Sequence, residues 1–145
     1  MKKYFISIVI SFLLLSGCSN AADTHQNKTN ASVTQYLLQK MLDDSDLNKY
    51  FHVNVFPERA PLIVVTNSFI DEKIVLRKFD QPVVYMEKKR ADDVGAVYLE
   101  ISSLETSNDK TVIKFRYRAE GIKGFVVFEE DNNDWILIDQ EIIEM

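Results

Sequence analysis

TVIKFRYRAEGIKGFVVFEEDNNDWILIDQEII, residues 111–143, contains three runs of β-branched and aromatic side chains, the last two separated by the turn DNND at 131–134. In the first run Ile113, Phe115 and Tyr117 alternate with Lys114, Arg116 and Arg118. Successive side chains of a strand point to opposite faces, so this pattern predicts a sheet with one dry face and one wet face. The two runs flanking DNND predict a hairpin.

Working outward, LIVVTN (62–67), KIVLRKF (73–79), PVVYMEK (82–88) and AVYLEISSL (96–104) share this composition and predict further strands. Upstream the period changes. Val33, Tyr36, Leu37 and Met41, with Leu38 and Leu42 beside them, recur at helical intervals, and Ser32-Val33-Thr34-Gln35 has the spacing of a capping box. One amphipathic helix is expected over about 33–43, extending after DDSD into LNKYF. The fold class expected is α+β: an N-terminal helix packed on a curved antiparallel β-sheet, because one sheet face needs the helix to cover it. Residues 32–145 form this single domain, with no internal repeat.

Ahead of it, Met1-Lys2-Lys3 leads into the apolar run YFISIVISFLLL and then Ser16-Gly17. This charged, apolar, then small-residue order is that of a secretory signal over residues 1–17. The twelve residues of this run, rising about 1.5 Å each, reach about 18 Å as a helix, short of a hydrocarbon core of roughly 30 Å. Leu15-Ser16-Gly17-Cys18 resembles the lipobox of bacterial lipoproteins. That resemblance implies cleavage between Gly17 and Cys18 and acylation of Cys18, so the protein is held at a membrane without crossing it. It also implies a domain facing the periplasm from the cell membrane or, with Ser19 after the cysteine, from the outer membrane. Residues 18–31 read as the lipidated cysteine and a flexible tether, since SNAADTHQNKTNA carries no large apolar side chain. Asn27-Lys28-Thr29 and Asn30-Ala31-Ser32 fit a glycosylation acceptor pattern by chance.

Removing residues 1–17 takes two of the 17 Lys+Arg and none of the 22 Asp+Glu, leaving a formal balance of −7. Nucleic acid is excluded as a partner, because phosphates demand a cationic footprint. Cys18 is the only cysteine, so with it acylated no disulfide and no thiolate catalyst remain.

Asp44-Ser45-Asp46-Leu47-Asn48 opens like a calcium loop, but Lys49 stands where glycine is needed and Val55 where a bidentate glutamate belongs. His52 is the only histidine of the domain, which leaves no zinc cluster and makes a triad hard to assemble. Isomerase-type chemistry needs a carboxylate in an apolar cavity and a hydroxyl donor, for which Asp139 with Tyr98 or Tyr117 are the available residues. No cofactor is expected. What remains is the cationic ladder Lys114, Arg116 and Arg118, with Lys123 nearby, in an otherwise acidic protein. It either engages anionic groups of a partner or pairs across strands with acids such as Glu129, Asp139 or Glu141.

A helix followed by long antiparallel strands and a tryptophan-containing hairpin resembles the cystatin-like roll of ketosteroid-isomerase-like and nuclear-transport-factor-like domains. That architecture hosts enzymes, immunity proteins and binding modules alike. The function expected is that of a non-catalytic binding or accessory lipoprotein of the cell envelope, with a protein partner there and the lipid anchor in the membrane. The alternatives are an immunity or inhibitor lipoprotein, and a small-molecule-binding or isomerase-like roll.

Overall fold

The computed structural model describes the backbone of residues 22–145 and the side chains from residue 31 onward. The signal segment, Gly17 and Cys18 lie outside the described residues. Helix α1 spans Ala22–Asp43 and α2 Ser45–Asn48; β1 (Ile63–Thr66), β2 (Arg77–Lys78), β3 (Gln81–Pro82) and β4 (Val84–Glu87) follow. Helix α3 (Lys88–Asp93) then precedes β5 (Tyr98–Ser107), β6 (Lys110–Tyr117), β7 (Ile122–Asp131) and β8 (Asp134–Glu144). The class is α+β.

Helix α1 begins eleven residues before the expected start, so of the tether read over 18–31 the part from Ala22 onward is helical. The polar stretch ADTHQNKTNA contains no proline or glycine to break a helix. Ser32-Val33-Thr34-Gln35 therefore lies inside α1 and is not a cap. From Val33 onward the helix meets the sheet, and Leu37, Leu38, Met41 and Leu42 are buried against it. Asp44 then caps α2, its Oδ1 accepting from the backbone N–H of Asp46 (2.9 Å) and Leu47 (3.2 Å).

The main sheet runs β4-β1-β5-β6-β7-β8. Strands β5 to β8 form an antiparallel meander, and Asn132 and Asn133, both at positive φ, close the expected hairpin at DNND. Strand β1, however, is parallel to both of its neighbours, which corrects the expectation of an all-antiparallel sheet. Parallel strands require a crossover, and α3 supplies it between β4 and β5. Its sequence KKRADD opens with the good helix formers Lys88, Lys89, Arg90 and Ala91, and Gly95 at φ +65° follows as its terminator. Ala91 of α3 packs with Val65 and Tyr98 on the sheet face opposite α1. The two faces are thus covered differently: α1 shields the inner face, and α3 shields only the parallel end of the outer face.

KIVLRKF is the second correction. Only Arg77–Lys78 makes a ladder, with Gln81–Pro82, outside the main sheet. The rest runs along α1, where side chains replace a partner strand. Gln35 Oε1 accepts from Val75 N–H (3.0 Å), while Gln39 accepts from Arg77 N–H (3.0 Å) and donates to Arg77 C=O (3.0 Å). One helical turn, about 5.4–6 Å, matches the two-residue rise of an extended chain, about 6.6 Å, so glutamines four apart reach alternate residues. Lys78 turns inward and donates its ammonium to Leu42 C=O, at the end of α1, over the rings of Phe51 and Phe79.

Candidate functional site

The wet face predicted for TVIKFRYR is the outer face of β5–β8. On β6, Thr111, Ile113, Phe115 and Tyr117 are buried, whereas Lys114 and Arg116 are exposed. Register fixes their surroundings. Arg116 stands opposite Glu100 on β5 and Lys123 on β7, and Lys123 stands opposite Ile143 on β8. One row along, Lys114 stands opposite Ser103 and Phe125, and Phe125 opposite Glu141. Among them lies an open groove of about 230 Å³, floored by Phe125 and Ile143 and edged by Lys114, Arg116 and Lys123.

The acids expected to neutralise the ladder do not reach it. Glu129 pairs with Lys110 at 3.3 Å, and Glu100 is taken by Lys88 at 2.5 Å. Glu141 shares a row with Lys114 but is two strands away, roughly 9.6 Å at backbone level. Among the described residues, Lys114, Arg116 and Lys123 form no ion pair. Arg116 and Lys123 are moreover like charges placed directly opposite each other, an arrangement that costs a sheet a few tenths of a kcal/mol. An anion bound in the groove would relieve that repulsion.

Arg118 does not belong to the ladder. It begins a 3₁₀ turn, Arg118–Glu120, past the end of β6, and donates to Asp92 Oδ1 (2.6 Å) and the Tyr98 hydroxyl (2.9 Å). Tyr98 donates to the same Asp92 oxygen (2.7 Å). The trio ties α3 to the sheet, and burial holds the Tyr98 phenol above its ordinary pKa.

The acid–base combination is not assembled. Trp135 and Leu137 face inward, but the register shift at Val127/Phe128 leaves Ile138 as an extra residue in β8. Beyond this bulge the parity inverts: Asp139 is exposed and Gln140 and Ile142 turn inward. Tyr117 lies on the other face, fully buried against Phe51, its hydroxyl without a hydrogen-bond partner and its pKa pushed up to about 12 by burial. Tyr98 begins β5, three strands from Asp139, or roughly 14 Å across the sheet.

His52 is exposed, with Nε2 3.8 Å from Glu120 Oε2, and Glu120 is held chiefly by Arg59. In the DSDLN segment, Asp44 is used as a cap, while Asp46 contacts Lys49 and accepts from Gln140 Nε2 (2.7 Å). Among the described residues no cluster of three or more His, Cys, Asp or Glu is placed to hold a metal ion, and no helix is long and apolar enough to cross a membrane.

Sequence reasoning missed the groove's floor. Phe125 was legible, because Lys123, Phe125, Val127 and Glu129 alternate along one face of β7. Ile143 was not, since its facing depends on the bulge at Ile138. Comparison with known proteins finds no matching family model, no matching curated protein and no matching solved structure, so the site stands on its geometry.

Proposed function

We propose that the chain is a membrane-anchored, non-catalytic binding module of the bacterial cell envelope, docking an acidic protein through the outer face of β5–β8. The observation that carries this reading is the set of three cations, Lys114, Arg116 and Lys123, without ion-pair partners among the described residues, around an apolar groove in a protein of net charge −5. Local rules are broken there without compensation inside the fold, as is common where a surface serves a partner. Acylated Cys18 supplies the anchor in the cell membrane or outer membrane, and the domain faces the periplasm. The negative net charge works against adhesion of the domain itself to anionic lipid heads. The likeness to a cystatin-like roll is kept as a proposal for α1 with β5–β8 only, where a helix lies against an antiparallel meander.

The test is cross-linked capture of the tagged full-length chain from cells, compared with its Lys114→Glu/Arg116→Glu/Lys123→Glu variant, read by mass spectrometry. An acidic protein captured by the first and lost from the second is the expected result, with capture weakening as salt rises. Equal capture by both forms would overturn the docking face. If the captured protein is a hydrolase or toxin whose activity falls on binding, the module is an inhibitor. Anchoring is checked by Cys18→Ser, which should move the protein out of the membrane fraction.

A further inference from the structure

A second site lies on the opposite side of the sheet, where the inner face outruns its cover. Between the Val33–Leu37 stretch of α1 and the hairpin ends of β5–β8 is an open cleft of about 600 Å³, in the size range of small-ligand sites. Its deepest residues are Trp135 and Leu37, both buried, together with Thr111. Thr111 Oγ1 lies 3.0 Å from Thr106 Oγ1, and Thr34 adds a third hydroxyl from the helix. Exposed Asn108 and Glu130 stand at the rim.

This lining selects by chemistry. No cation lines the cleft and one carboxylate edges it, so anions are disfavoured. The hydroxyls of Thr34 and Thr106 and the amide of Asn108 offer both donors and acceptors to uncharged polar groups. Half-buried Val33 and Leu104, with the accessible edge of the Trp135 indole, offer an apolar base against which C–H groups can lie. A ligand with one C–H face and several neutral hydroxyl or acetamido groups matches all of these features. We infer that the cleft binds a neutral saccharide of one or two rings, seated toward Trp135 and hydrogen-bonded by Thr34, Thr106 and Asn108. The site is independent of the docking face, which lies on the other side of the sheet.

Trp135 is the only tryptophan of the chain, so intrinsic fluorescence reports this cleft alone. The full chain, in a detergent without a sugar headgroup, is titrated with N,N′-diacetylchitobiose and with maltose, and with glucose 6-phosphate as the anionic control. A saturable change with at least one disaccharide, and none with glucose 6-phosphate over the same range, is expected. Asn108→Gly keeps the turn, because Asn108 sits at φ 53°, and Thr34→Val keeps the helix. Each should weaken binding roughly fivefold through one lost hydrogen bond, while Lys114→Glu leaves it unchanged. Absence of a saturable change with both disaccharides, an equal response to the phosphate, or wild-type binding by both cleft variants would each overturn the assignment.

Discussion

Gly124 carries a steric demand that can be worked through to a number. It lies in β7 between Phe115 on β6 and Ile142 on β8, directly beside the Phe125 that floors the groove. A Cβ at this position would stand 2.4 Å from Glu141 O, 2.9 Å from Phe115 Cζ and 3.3 Å from Ile142 Cα. Non-bonded heavy atoms prefer about 3.5–4.0 Å, so the deficit is about 1 Å against backbone and about 0.6 Å against the ring. The Phe115 ring can tilt only within a packed core, and Glu141 can retreat only by loosening the β7–β8 ladder. Replacing glycine by alanine recovers up to about 1 kcal/mol of unfolded-state entropy. Overpacking costs about 1–3 kcal/mol, and a weakened ladder bond about 1 kcal/mol more. Sterics win: Gly124→Ala is expected to destabilise by about 2 kcal/mol, lowering Tm by roughly 8 °C in a domain of this size. Urea denaturation followed by circular dichroism measures the loss. Adding Phe115→Leu removes the ring contact but leaves the carbonyl contact, so a double-mutant cycle should return a coupling of about 1 kcal/mol. Wild-type stability in Gly124→Ala would refute the close approach, and zero coupling would refute the position of the ring.

Gln39→Ala removes both hydrogen bonds to Arg77, for an expected loss of about 1–2 kcal/mol at this exposed site; amide exchange at Arg77 should accelerate while that at Phe115 does not. Lys78 tests the sign of a buried charge: desolvation lowers its pKa below 10.5 in the fold, so the unfolded chain binds the proton more tightly. Stability should therefore rise with pH from the folded pKa up to 10.5, and denaturation curves of Lys78→Met should lack that rise. The Lys114→Glu/Arg116→Glu/Lys123→Glu chain, having no internal ion pairs to lose, should unfold within about 0.5 kcal/mol of wild type; a loss of several kcal/mol would mean the ladder is structural.

Residue patterning reached furthest where one strand face is dry. The alternation in TVIKFRYR placed Lys114 and Arg116 on the outer face, the composition of DNND located the last hairpin, and the apolar stripe of α1 identified Leu37, Leu38, Met41 and Leu42 as its buried side. All of these are local: periods of 2 and 3.6 residues, and turn residues that tolerate positive φ, act within a few positions. Tertiary structure alone decided the rest. The parallel placement of β1 depends on where α3 returns the chain, and KIVLRKF leaves the sheet because Gln35 and Gln39 satisfy its backbone. Asp139 faces solvent because Ile138 is an extra residue, a shift of parity that no window of composition records. Whether the cations of the ladder are paired was likewise undecidable in one dimension. Pairing depends on which acids the register brings across, and here it brings Lys123 to Arg116 and gives Glu100 to Lys88.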